Sequence, residues 1–431
     1  MNNNYIYYRQ KIIINKKTLI AILLNILLFF LFSCSTDKSP LSTGEKNFDP
    51  FTNEQLSPHV IISKNEKMNT LFNKALKAGV DQDWNAVIDY LIEGAKIDPA
   101  GESSTFIKYL QKMLFPPFPT KRVCTVLSQI NPSYFRSNQP LIKLLKQAPM
   151  SLQWNQKKTV LTWLKPQLFS ILGVFFASNL PIVEVIVNGT PMRMGLDTGF
   201  TITFLFRDAA KKVGVDNISG KNFNINITDG GYKTRSGSLA LIKSMKLGSL
   251  EVKNCLSMIA KRPFGLDAID GFIGWPVLSQ LVMKMDAKNE KITLSASDAV
   301  LSKSENFFWF GEPIIRVTGK DSSTMLFFSL DTGARRTSFS DSGIALLNAN
   351  AKKAEISLGI GIHGIHWNEK SLIESAEIYL NKYQIKFIKH KNSPMSFGFL
   401  QHWDGVLGSD IAQSGTVTFD FLSGQLLYEP Y

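Results

Sequence analysis

The chain has 431 residues, 44% of them hydrophobic and 11% aromatic, which is ample for two or three domains with buried cores. Its formal charge is +13, but Arg9, Lys11, Lys16 and Lys17 fall in the first 33 residues, which hold no acid, so the remainder carries +9. No Lys/Arg block is dense enough for a nucleic-acid stripe, and the charge reads as a solvated lysine-rich surface with no nucleic-acid partner.

The basic N-terminus leads into an apolar run over 19–32, broken only by Asn25. That is the pattern of a signal peptide over 1–33, and it is short for a spanning helix. Leu31-Phe32-Ser33-Cys34 resembles a bacterial lipobox, with Phe32 where a small residue is usual. The resemblance implies cleavage before Cys34, lipidation at Cys34 and a membrane anchor in the cell envelope, on the periplasmic side or the cell surface. Each buried acyl methylene adds about 0.8 kcal/mol to such anchoring. An uncleaved anchor or ordinary secretion would export the chain as well. With Cys34 lipidated, Cys124 and Cys255 remain, as one bridge or as two buried thiols. There is no CxxC, and His363 and His366 lack neighbouring cysteines or an acidic ligand set, so neither a metal nor a cofactor is expected.

Residues 34–64 are rich in Ser, Thr, Asn, Asp and Pro and read as a flexible tether. Over 65–150 the texture becomes helical: Leu71, Phe72, Ala75 and Leu76 share one helical face, Gly79 interrupts, and Trp84, Val87, Ile88 and Leu91 mark a second helix. Further helical spacing occurs at 103–114 and 140–148. The order Ala75, Gly79, Trp84, Ala86, Tyr90, Ile97-Asp98-Pro99 resembles a single tetratricopeptide repeat. One repeat cannot bury its own apolar face, so a generic helical hairpin packed on the rest of the chain is the competing reading. The resemblance implies a protein partner for this region. Residues 151–179 mix Trp154, Trp163, Leu168 and Phe169 as strands or a buried connector.

Beyond residue 180 the pattern is that of strands. An apolar run at 181–187, the turn Asn188-Gly189 and a second run ending at Leu196 predict a hairpin that delivers Asp197-Thr198-Gly199. Residues 313–317 and 325–330 repeat the plan before Asp331-Thr332-Gly333. Each triplet is echoed downstream, by Asp270-Gly271-Phe272-Ile273-Gly274 and by Asp404-Gly405-Val406-Leu407-Gly408. Shifting the chain lays Asp197 on Asp331, Gly230 on Gly364, Asp270 on Asp404 and Asp286 on Asp420, an internal duplication. It predicts two small closed β-lobes, over 180–298 and 307–431, with a linker near 296–306.

The paired triplets and their apolar-apolar-Gly echoes resemble the retropepsin-like aspartyl proteases, over 180–431. The resemblance implies an all-β bilobal double barrel, here preceded by the small helical region, in which one chain supplies both catalytic aspartates and the catalytic unit is a monomer. Asp197 and Asp331 would be the catalytic pair acting on a peptide or protein substrate. One carboxylate would take a proton from water while the second, protonated, assists the scissile carbonyl. Thr198 and Thr332 would brace each loop against the other lobe, Gly199 and Gly333 would permit close approach, and Gly274 and Gly408 would let the supporting strands pass close by. A flap would close over substrate in each lobe: Gly230, Gly231 and Tyr232 in the first, Gly361, His363 and Gly364 in the second. Residues 359–364 also match GxGxxG, but the residues after them supply neither the helix nor the acid that a dinucleotide site needs.

The chain departs from the family pattern at Phe200, at Arg335, and at Trp275-Pro276 and Ser409-Asp410. Arg335 would either lower the pKa of the pair or point outward. The competing function is a noncatalytic peptide-binding scaffold that uses the same lobes and the helices. A serine hydrolase is disfavoured, since no G-x-S-x-G occurs, and no local signature places a cysteine with a histidine.

Overall fold

The computed structural model describes residues 64–97, 106, 110, 113, 118, 120–130, 149–164, 179–215, 218, 223–225, 235–262, 266, 268–297, 305–321, 323–361, 364–392 and 403–431. The signal peptide, Cys34, residues 140–148, Gly230, Gly231, Tyr232 and His363 lie outside them.

Helix α1 (Glu66–Val80) starts where the Asn65 side chain accepts from the N–H groups of Lys67 and Met68, and its periodic face buries Leu71, Phe72, Ala75 and Leu76. It packs on α2 (Trp84–Ile97), which in turn touches α3 (Thr120–Ile130). Gly79 does not interrupt: it lies inside α1, and a Cβ there would come within 3.3 Å of the Trp309 carbonyl. A close approach to the second lobe, rather than a helix break, explains the glycine. Phe72 meets Phe310 edge-on at 5.1 Å, Trp84 stacks on Phe421 at 6.1 Å, and the buried Gln82 amide donates to Phe421 O at 3.1 Å. The apolar face of the helical hairpin is thus filled by the aromatic edge of the β-body.

The first half of the β-body comprises β1 (Ser151–Trp154), β2 (Lys158–Thr162), β3 (Ile182–Val187), β4 (Thr190–Leu196), β5 (Thr203–Phe206), β6 (Phe223–Ile225), β7 (Arg235–Leu247), β8 (Leu250–Ala260), β9 (Gly271–Ile273), β10 (Leu281–Asp286) and β11 (Lys291–Ala296), with α4 (Arg207–Lys212) and α5 (Trp275–Leu278). The second comprises β12 (Phe307–Trp309), β13 (Pro313–Thr318), β14 (Met325–Leu330), β15 (Ser338–Phe339), β16 (Ala351–Gly361), β17 (Gly364–Leu380), β18 (Tyr383–Asn392), β19 (Gly405–Leu407), β20 (Gly415–Asp420) and β21 (Gln425–Pro430), with α6 (Asp341–Leu346) and a 3-10 turn at Ser409–Gln413.

In the first lobe the order β8-β5-β9-β4-β3-β7 returns to β8, closing a six-stranded barrel, with β1 added on β8 and β6 on β7. The turn between β3 and β4 is the one the sequence predicts: Asn188 and Gly189 both have positive φ (46° and 85°), as a two-residue hairpin requires.

The second lobe does not close as expected. Its sheet runs β15-β19-β14-β13-β17-β16, with β18 on β17 and no β15–β18 ladder. The buried Asn392 amide spans that seam instead, accepting from Phe339 N at 2.7 Å and donating to Phe339 O at 3.0 Å, while His390 Nε2 bonds Thr337 O at 2.7 Å. Side chains stand in for the parallel ladder that β5 and β8 make in the first lobe.

A third, five-stranded sheet, β2-β11-β10-β20-β21, joins the lobes. At its centre Lys284 pairs with Thr418. These are equivalent positions of the two copies, so the pseudo-twofold axis passes through this pair. Residues 151–154 and 158–162 are therefore strands, the first on the first barrel and the second on the shared sheet. Cys124 and Cys255 are both buried and form no disulfide with each other, which answers that alternative.

Candidate active site

Each triplet sits where a strand leaves its lobe toward the other. Asp197 follows β4, which pairs in parallel with β9, and Asp331 follows β14, which pairs in parallel with β19. The peptide N–H groups of the two aspartates donate to Ile273 O at 3.0 Å and to Leu407 O at 3.1 Å, so the apolar-apolar-Gly echoes hold the triplets by their backbones.

The two threonines cross between the lobes reciprocally. Thr198 N donates to Thr332 Oγ1 at 3.0 Å and Thr332 N to Thr198 Oγ1 at 3.0 Å. Thr198 Oγ1 then donates to Leu330 O at 2.8 Å, and Thr332 Oγ1 to Leu196 O at 2.7 Å. Both side chains are buried, at 1% and 0% exposure, so every polar atom of the crossing is satisfied within the protein. Valine in either place would leave buried backbone groups unmet.

This crossing sets the carboxyls of Asp197 and Asp331 beside each other, each against the other lobe's triplet glycine. Gly199 N donates to Asp197 Oδ1 at 2.9 Å, and Asp331 Oδ1 receives Gly333 N at 2.9 Å and Ala334 N at 3.0 Å. Each triplet glycine faces the other lobe's aspartate: a Cβ on Gly199 would lie 2.8 Å from Asp331 Cγ, and one on Gly333 would overlap the Asp197 carboxylate. Gly274 and Gly408 are equally constrained, since a Cβ there would lie 2.6 Å from Ile202 O and 2.5 Å from Arg336 C. Behind them Gly274 N donates to Thr203 Oγ1 at 3.3 Å and Gly408 N to Thr337 Oγ1 at 3.1 Å. Sequence reading missed this second pair of threonines, although they recur at the spacing that relates the triplets.

Burial, followed by the negative charge of Asp331 and the hydrogen bond that the protonated Asp197 donates to it, holds the Asp197 carboxyl well above the ordinary carboxylate range. Burial also raises Asp331, but there the shared hydrogen bond and the Ala334 and Gly333 N–H groups act in the opposite sense. The arrangement therefore favours the proton on Asp197 and the charge on Asp331, and the pair titrates as a unit. Glu312 adds a further negative charge near Asp331 and raises it.

The departures from the expected pattern are accommodated locally. Phe200 packs on Phe204 and Phe272 at 5.9 and 5.2 Å, and its carbonyl receives Trp275 N at 2.7 Å. Asp410 receives both the N–H and the hydroxyl of Thr337 at 2.8 Å. Arg335 is half-buried, its guanidinium pushed down by burial and by Arg336. Of the expected flap residues, Gly361 and Gly364 form the closing pair of the β16–β17 hairpin. The first flap, with Gly230, Gly231 and Tyr232, falls between the paired strands β6 and β7, outside the described residues.

No curated protein matches the chain. Among solved structures it is similar to a retropepsin-like aspartic protease from Rickettsia conorii, at 14% identity over 35% of this chain and 96% of that one, with a TM-score of 0.24. It is also similar to an aspartic proteinase from Irpex lacteus, at 13% identity over 63% of this chain and 97% of that one, with a TM-score of 0.42. Residues 183–277 match the family model described as aspartyl protease, a stretch running from β3 into α5 that holds Asp197 and Gly274.

Proposed function

We propose that the chain is an aspartic endopeptidase in which Asp197 and Asp331 form one catalytic pair and a single chain supplies both. The observation that carries this reading is the juxtaposition of two carboxyls from opposite lobes, Asp197 buried and Asp331 half-buried, set by the reciprocal threonine crossing. The ionised Asp331 takes a proton from a water held between the carboxyls, and the protonated Asp197 donates to the scissile carbonyl as the tetrahedral centre forms. The proton then returns through the same pair as the amine leaves, with no covalent intermediate. The raised pKa values extend the singly protonated state above the usual carboxylate range.

The substrate is a peptide or protein, and the catalytic unit is a monomer. The flaps are the β6–β7 connection with Gly230, Gly231 and Tyr232 and the β16–β17 tip with Gly361, His363 and Gly364. The N-terminal pattern supports export, lipidation at Cys34 and residence in the cell envelope. Product mass spectra from a peptide library test the chemistry: cleavage by wild type, absent in Asp197→Asn and in Asp331→Asn and blocked by a statine-type mimic, is the expected result. Tight peptide capture without cleavage from acidic to neutral pH would indicate the binding scaffold instead. Release of labelled acyl chain with the Cys34 peptide, lost in Cys34→Ala, tests the anchor.

A further inference from the structure

The duplication is nearly symmetric around the carboxyl pair, and it breaks at one position beside Asp331. Ile182 pairs with Gly195 in the first hairpin, and Ile314 with Ser329 in the second. Gly195 and Ser329 correspond at the triplet spacing, whereas Ile182 and Ile314 are two residues closer, because the second hairpin loop is longer by two. The residue two places before each isoleucine is then Leu180 in the first lobe and Glu312 in the second.

Leu180 is buried and apolar, and beside Gly195 the space is filled by the Phe272 ring, 2.7 Å from where a Cβ would stand. On the other side the same place is polar. Ser329 precedes Asp331 by two residues, so the two side chains lie on one face of the strand run, roughly 6–7 Å apart along it. Ser329 Oγ donates to Glu312 Oε2 at 2.7 Å, and Trp403 Nε1 donates to Glu312 Oε1 at 2.7 Å. Ser329 and Trp403 are buried, at 3% and 6% exposure, whereas Glu312 is only half-buried. Both oxygens of Glu312 are thereby fixed by neutral donors, and each keeps acceptor capacity. Among the described residues no cation pairs with it. A rigid, partly desolvated carboxylate without a counter-charge, next to the reacting pair, is costly unless a cation arrives with the substrate.

We propose that Glu312 is a specificity-determining residue on the Asp331 side of the cleft, taking the ammonium or guanidinium of a lysine or arginine next to the scissile bond. The opposite side, built on Leu180 and Phe272, takes an apolar residue. The inference rests on the proteolytic reading for its place beside a scissile bond, and on the Ser329–Glu312–Trp403 geometry for its chemistry.

The test compares kcat/KM for peptides that differ only in lysine against norleucine at each position flanking the cleaved bond. Wild type is expected to favour lysine at one flanking position by about tenfold or more, the scale of a charge-assisted hydrogen bond, and Glu312→Gln to erase that ratio. Trp403→Phe, which keeps the carboxylate but removes one anchor, should reduce the ratio by a smaller factor, chiefly through KM. An unchanged ratio in Glu312→Gln, or an apolar preference at every flanking position in wild type, overturns the proposal. A binding arm separates the two readings. Asp197→Asn and Asp197→Asn/Glu312→Gln are titrated with the same peptides by fluorescence anisotropy. If wild type cleaves nothing the proteolytic reading falls, while loss of lysine preference in the second protein still supports the role of Glu312 and its persistence refutes it.

Discussion

Gly333 shows how little tolerance the carboxyl pair allows, because any side chain there would displace the Asp197 carboxylate from its partner. We expect Gly333→Ala to lower kcat/KM about 100-fold, the scale at which an ångström of misplacement is felt, while the melting temperature moves little. Steady-state kinetics beside a thermal scan separates this outcome from a folding defect. The pair also leaves a mark on stability. The folded-state pKa of Asp197 is raised above its unfolded value, so the native state binds more protons at pH above about 4 and stability falls as pH rises. Asp197→Asn cannot lose that proton, so it should be more stable than wild type near neutral pH and indistinguishable from it near pH 3. Urea midpoints across that range check this, and a gain at pH 3 equal to that at pH 7 would contradict it. The triplets and their glycines were legible in the sequence because they recur at one spacing. Glu312 was not, since its meaning depends on Ser329 and Trp403, which lie elsewhere in the chain and whose first-lobe counterparts, Gly195 and Ile269, have no polar side chain.

Among the elements, the seam between β15 and β18 carries the clearest expectation. Asn392 is fully buried and satisfies both backbone groups of Phe339, so Asn392→Ala leaves an N–H and a C=O unmet and should cost about 2–4 kcal/mol in urea denaturation. The corresponding first-lobe residue, Met258, makes no such side-chain bridge because β5 and β8 pair directly there. Hairpins were readable from alternation and from Asn188-Gly189, whose turn chemistry is local. Closure was expected for both lobes and holds for the first; the open seam of the second was not legible, because pairing between strands separated by some 50 residues leaves no periodic trace in either. Gly79 misled for the same reason: its neighbour, the Trp309 carbonyl, lies far along the chain.

In the whole molecule, the shared sheet holds the two halves in register, and the helical hairpin docks on the second. Lys284 and Thr418 mark the pseudo-axis, and an aromatic run from Trp84 through Phe421 to Trp275 links α2 to the residue that supports the first catalytic loop. Trp84→Ala should cost about 3–5 kcal/mol of stability, since the site it leaves is walled by Phe118, Trp309 and Phe421. A loss within 1 kcal/mol by calorimetry would mean that the hairpin is not docked in solution. The duplication announced two lobes from sequence alone, but the docking face of the helices depends on second-lobe aromatics, Trp309, Phe310 and Phe421, that lie far along the chain. The claim on which the rest depends is that the two halves make one catalytic group. It is tested most directly by kcat/KM for wild type, Asp197→Asn, Asp331→Asn and the double variant on one peptide. Each single change should reduce the rate by a factor on the order of 1,000 or more, and the double variant should lose no more than either alone. Losses that multiply in the double variant, or wild-type cleavage in either single one, would contradict the account.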